Sequence, residues 1–132
     1  MPTKTQVRTA LVSSVSRAAG AAATRAAIDV SAVDGGRLTF RITNGSTGPS
    51  TPCFGRILVA HRGASMPAVA AEGTGDLDWK QISEIGAGIA ANATVRGSYK
   101  FGPEEAYIMI EFAGNTGQAV TVEAHVTTFN YP

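Results

Sequence analysis

The feature that most constrains this chain is a period of two. Val120, Val122, Ala124 and Val126 alternate with Thr121, Glu123, His125 and Thr127. Successive side chains of a strand point to opposite faces, so one face of this segment is apolar and the other wet. Leu38, Phe40 and Ile42 alternate with Arg37, Thr39 and Arg41 in the same way, and Trp79, Gln81 and Ser83 alternate more weakly with Lys80, Ile82 and Glu84. Such segments recur between clusters of Gly, Pro, Asn and Asp, the arrangement of a sandwich or barrel. Seven candidate strands result, at 24–33, 37–44, 53–62, 78–85, 93–101, 106–113 and 119–131. Asp34-Gly35-Gly36, Asn44-Gly45 and Gly114-Asn115-Thr116-Gly117 are read as sources of the positive φ that tight connections need. Two longer connections, 45–52 and 63–77, are rich in Gly, Pro and small residues, and functional contacts usually live on such loops.

Length and composition bound the rest. A chain of 132 residues suits one hydrophobic core. With 44% hydrophobic and 16% charged residues it does not have the composition of a disordered chain. The longest apolar candidate, 57–60, is strand-sized, so no membrane span is expected. The single Cys53 excludes an internal disulfide, and no Cys/His cluster is spaced to hold a structural metal.

Charge is unevenly placed along the chain. Lys4, Arg8, Arg17 and Arg25 all precede the first acid, Asp29, after which seven basic and ten acidic side chains follow. The expected organisation is therefore a basic N-terminal arm over 1–28 leading a mildly acidic β-sandwich domain over 29–132. Val7, Leu11 and Val15 at a spacing of four suit a helix, whereas Ala10, Val12 and the β-branched content suit a strand. An extended arm with a strand over 8–15 is the reading adopted, gaining order when docked on a partner. Arg, Ser and Ala without acids is also the composition of an organellar transit peptide, but the apolar run of a secretory signal is lacking.

No convincing catalytic constellation is present, and the expectation is a non-enzymatic protein without a cofactor or metal. The two histidines, His61 and His125, both fall inside predicted strands, and His125 lies on the polar face of the last one, where a structural imidazole is the simpler reading. Asp76, Asp78, Glu104 and Glu105 are the acids available for paired-carboxylate chemistry, but nothing in their spacing specifies a pair across a cleft. Gly86-Ala87-Gly88 lacks the following helix and acid of a dinucleotide site. Eight arginines raise nucleic-acid binding, yet the overall charge is only +1 and no aromatic residues interleave with a basic motif. Trp79, Tyr99, Tyr107 and Tyr131 admit a sugar-stacking platform, although aromatics in a small sandwich more often form core and rim.

The run Asp34-Gly35-Gly36-Arg37-Leu38-Thr39-Phe40-Arg41-Ile42-Thr43-Asn44-Gly45-Ser46-Thr47-Gly48-Pro49, together with the tail 120–131, resembles small β-sandwich virion proteins of tailed bacteriophages, of the head decoration or cement type. That resemblance implies a single antiparallel, jelly-roll-like sandwich that sits on the capsid exterior after synthesis in the host cytoplasm. It also implies the major capsid protein as partner and a homo-oligomer, dimer or trimer, that bridges subunits, with no nucleic acid or membrane. The expected partner-binding residues are those of the arm: Lys4, Arg8, Arg17 and Arg25 meeting acidic surface, with Val7, Leu11 and Val15 as apolar anchors. The rival expectation is a tail-associated or receptor-binding module contacting a host glycan or protein through 45–52 and 63–77.

Overall fold

The computed structural model describes residues 4–60, 65–73 and 78–132. The eight strands are β1 (Thr5–Arg17), β2 (Thr24–Asp29), β3 (Gly35–Asn44), β4 (Phe54–Ala60), β5 (Lys80–Gly86), β6 (Thr94–Phe101), β7 (Tyr107–Ala113) and β8 (Val120–Asn130). They form two four-stranded sheets of order β1-β8-β3-β6 and β2-β7-β4-β5, with every named pair antiparallel. Only the connection between β4 and β5 stays within one sheet; the others cross between the two. This is an all-β jelly roll, in which two Greek keys wind one chain through both layers. All seven predicted segments contain a strand, as does 8–15. The predicted stretch 61–62 of the third segment lies outside the described residues.

Alternation explains the layers. Leu38, Phe40, Ile42, Val122, Ala124 and Val126 are buried on the inner face of the first sheet, opposite Ile57, Ile108, Ile110 and Phe112 of the second. The rings of Phe40 and Phe112 meet edge to face, 5.8 Å between centroids and 74° between planes. Such an arrangement brings the positive edge of one ring to the negative face of the other.

Two expectations about connections need correction. Gly114 and Gly117 do take positive φ, at 103° and 81°, but Gly35, Gly36 and Gly45 do not. Gly35 and Gly36 lie inside β3 and serve close approach: a Cβ on Gly36 would stand 2.2 Å from the Thr127 carbonyl oxygen. Positive φ occurs instead in the loop that faces Asn44, at Gly88 and Asn92, with φ of 71° and 59°. The buried Asn44 amide donates to the carbonyls of Gly88 and Ala90 at 3.2 and 2.9 Å.

The expected arm is extended, but it is an edge strand of the same sandwich. β1 pairs with β8 from Thr5 opposite Asn130 to Arg17 opposite Val120, with register shifts between Ala10 and Val12 and between Val12 and Val15. Val12 is buried and Leu11 packs on the core, so the segment orders on its own domain. The expected boundary between 28 and 29 falls within β2, where Ile28 faces Ile108 and Asp29 faces Tyr107. Residues 5–29 thus supply one strand to each sheet, because their apolar positions complete the common core.

Beside the core, the half-buried Tyr99 hydroxyl donates to Glu105 Oε1 at 2.7 Å. Burial, then the carboxylate acceptor, pushes the phenol up to about 12 from an ordinary 10.0. The folded chain therefore holds this proton more tightly than the unfolded chain. Its contribution to stability is complete below pH 10 and falls away as pH rises towards 12. Melting temperatures measured across this range should fall less steeply for Tyr99→Phe than for the parent chain.

Candidate functional site

The two outer faces of the sandwich differ. On β7, Ile108, Ile110 and Phe112 face the main core, while Tyr107 and Met109 point the other way. There they join Leu58, Ala60, Ala106 and Trp79 in a second buried cluster, with Met66 packed against it. Trp79 is 1% exposed, and its indole N–H donates to the Ala68 carbonyl at 3.1 Å. Met66 and the chain at Ala68 therefore cover part of the outer face of the second sheet, over Trp79. The rest of that face carries an ionic ladder, Arg25–Glu111–Arg56–Glu84, with contacts of 2.5, 3.0 and 2.5 Å across all four strands.

The outer face of the first sheet is open, and its register places basic side chains in two rows. One row runs Arg8, Thr127, Arg37, Lys100 across β1, β8, β3 and β6. The next runs Ala10, His125, Thr39, Ser98, and the third runs Glu123, Arg41, Arg96. Two cationic rows thus flank a row of hydroxyls and one imidazole. Between them lies a shallow depression of about 510 Å³, lined by Arg8, Arg37, Arg41, Arg96, Ser98 and His125 among others. A smaller hollow continues it past Arg37 and Lys100 to Lys4 and Phe129. Lys4 Nζ lies 5.0 Å from the centroid of the Phe129 ring.

Among the described residues, six basic side chains (Lys4, Arg8, Arg37, Arg41, Arg96 and Lys100) stand on this face with a single acid, Glu123. Glu123 forms an ion pair with Arg41 at 2.6 Å and lies 3.8 Å from His125 Nε2. Among the described residues, none of the other five cations has an ion pair. Among the described residues, the basic side chains elsewhere are committed internally. Arg17 is buried and donates to the carbonyls of Ala22 and Ala21 at 2.6 and 2.9 Å, pinning the turn after β1. Arg25 and Arg56 belong to the ladder, and Lys80 donates to the Gly73 carbonyl.

The residues expected to form one arm surface are therefore split. Lys4 and Arg8 lie on the open basic face. Val7 and Val15 are exposed at 55% and 46%, whereas Leu11 packs on the core. Arg17 is turned inward and Arg25 sits on the other sheet, so neither belongs to a shared patch with Lys4 and Arg8. Sequence reasoning missed Arg37, Arg41, Arg96 and Lys100 as a group. The alternation of Arg37, Thr39 and Arg41 was visible; the adjacency of β3 and β6, 50 residues or more apart in the chain, was not.

Among the described residues, the other candidate groups form no metal-binding cluster. His61 and Asp76 lie outside the described residues. Glu105 is bonded to Tyr99, and among the described residues no group of three His, Cys, Asp or Glu side chains is placed to hold a metal ion. Cys53 is buried, and that burial pushes its thiol up, away from the reactive thiolate at neutral pH. Trp79 and Tyr107 are enclosed while Tyr131 is 60% exposed at the chain's end, so these aromatics do not make one platform.

Neither a family model nor a curated protein matches the sequence. Similarity appears at the level of fold. The K3 cleaved adhesin domain of Lys-gingipain from Porphyromonas gingivalis aligns over 87% of this chain and 72% of its own, with a TM-score of 0.57 at 12% identity. A chain from the structure of infectious bursal disease virus, Gx strain, aligns over 97% of this chain with a TM-score of 0.52 at 9% identity. The VP2 subviral particle of infectious bursal disease virus aligns over 97% with a TM-score of 0.50 at 8% identity. This chain spans about a third of each of the two viral chains, covering 32% and 33% of their lengths. The likeness is one of sandwich architecture, shared by an adhesin domain and by viral chains.

Proposed function

We propose that this chain is a non-enzymatic virion structural protein, a decoration or cement protein that binds the capsid exterior and bridges capsid subunits. The observation that carries this reading is the inequality of the two outer faces: one is partly covered by the chain itself, and the other is a broad basic sheet whose cations are mostly unpaired. A rigid sheet presenting fixed charge suits attachment to another surface. Jelly rolls recur in viral capsid and lectin domains, so architecture supports the class without choosing within it. In this reading the partner is the major capsid protein. Bridging needs more than one docking face, which a homo-oligomer provides. The β1 edge, with Val7 and Val15 exposed, is the apolar strip available for self-association.

The test uses particles produced from the genome that encodes the chain. Antibody against the chain should label heads over their whole surface in electron micrographs. Light scattering of the purified chain should return a dimer or trimer. Label confined to the tail would support instead a receptor-binding role, the use suggested by the adhesin-like fold. Absence of the chain from particles would overturn both readings.

A further inference from the structure

We infer that the outer face of the β1-β8-β3-β6 sheet is a docking surface for a carboxylate-bearing surface of another protein. The inference deepens the capsid-binding reading and rests on it only for the identity of that protein. Neighbouring strands lie about 4.8 Å apart and alternate residues of one strand about 6.7 Å apart, so the two cationic rows stand about 13 Å from each other, the row from Arg8 to Lys100 spanning about 14 Å and the pair Arg41 and Arg96 about 5 Å. Arg37 and Arg41 mark the rows on β3, while Arg96 and Lys100 continue them on β6. Each guanidinium offers a planar fork that a carboxylate can accept in two parallel bonds. Thr39, Ser98 and His125, between the rows, supply polar groups for whatever lies between the acids.

Two observations select protein carboxylates over other anions, and a third argues against a second copy. A single-stranded nucleic acid needs rings on which bases stack. The one ring at the end of this face, Phe129, is already covered by Lys4 and meets Tyr131 edge to face at 5.5 Å. Sugar rings lack a platform for the same reason. Glu123, fixed by Arg41 within one cationic row, repels a continuous chain of phosphates or sulfates but leaves room for discrete acids. A second copy is a poor complement: Asp29, Asp34, Glu72, Glu84, Glu105 and Glu111 each accept a hydrogen bond within their own chain. Among the described residues, five cations of this face have no ion pair, which leaves them open to the acids of another protein.

The probe is a strand-forming peptide with glutamate at alternate positions, titrated against the full chain alongside a single-stranded oligonucleotide and a sulfated oligosaccharide of equal charge. The peptide should bind most tightly. Its affinity should fall about tenfold between low and moderate salt, as expected for exposed charges. Arg37→Glu/Arg96→Glu should weaken it at least tenfold; Arg37→Gln/Arg96→Gln, which adds no acid, should give an intermediate loss with an unchanged melting temperature. Tighter binding of the oligonucleotide or the sulfated sugar would overturn the inference. So would self-association of the chain that both double variants abolish. Particle attachment that survives both variants would also sink it while leaving the capsid reading standing. Peptide binding lost in the variants, with no chain found on particles, would uphold the acidic-docking face and remove the capsid reading.

Discussion

Replacing Glu111 by alanine should destabilise the fold by about 3 kcal/mol, the low end of the cost of removing one partner from a buried ion pair. Glu111 lies on the interior strand β7, with its side chain 7% exposed. One carboxylate oxygen accepts from Arg25 at 2.5 Å and the other from Arg56 at 3.0 Å. Removing it leaves two guanidinium groups, each only 28% exposed, of which only Arg56 has a second carboxylate, Glu84, within reach. Arg25 is then left without an ion-pair partner among the described residues, and the cost is incomplete solvation of its charge. It stays at the low end because both arginines retain some access to water. Arg56 keeps Glu84, the hydrogen bond that does most to raise its already high pKa. Urea unfolding would measure the loss as a lower midpoint with an unchanged slope. Replacing Arg25, Glu111 and Arg56 together by methionine should recover most of it, since apolar side chains of similar volume avoid the desolvation penalty. A loss below about 1 kcal/mol for Glu111→Ala would place the ladder with ordinary surface ion pairs.

Trp79→Ala should cost about 3–5 kcal/mol, the usual range for deleting a large buried aromatic side chain. The consequence differs from that of a mutation between the sheets. Trp79 sits in the satellite cluster on the outside of the second sheet, with Leu58, Tyr107 and Met109 beneath the covering chain. Without the indole, this covering loses both its largest apolar contact and the hydrogen bond to the Ala68 carbonyl. Residues 65–73 should become sensitive to protease before the sandwich unfolds, and a hydrophobic dye should bind the uncovered cluster. Trp79→Phe retains much of the packing but not the bond, so a loss nearer 1–2 kcal/mol is expected. Protease resistance unchanged in Trp79→Ala would show that the covering segment is held by other contacts.

The sandwich was legible because alternation is a local property. Val120 to Val126 and Leu38 to Ile42 bury alternate side chains in the structure as their sequence requires. Local pattern misled where the environment of a residue, rather than its neighbours in sequence, set its role. Gly35 and Gly36 look like turn residues but make space for Thr127 and Phe129 across the sheet. Arg17 looks like one charge of a basic arm, yet its guanidinium is turned inward to hold the carbonyls of Ala21 and Ala22. Trp79 reads as part of a weak alternation, while its actual partners come from β4, β7 and the loop at Met66.

The sequence by itself determined the all-β class and the segments from which strands form, because hydrophobic period and turn residues act within a few positions of the chain. It also determined which side chains of each clear strand point outward. Which outward side chains become neighbours was decided only by tertiary structure. The jelly-roll winding places β3 between β8 and β6 and brings β1 to the far edge of the same sheet. That order gathers cations from residue 4 to residue 100 on one face, while the other sheet neutralises Arg25 and Arg56 against Glu111 and Glu84. The described charges are thereby divided into an open basic face and a remainder largely committed within the chain, because strand order rather than sequence order sets the distances between them.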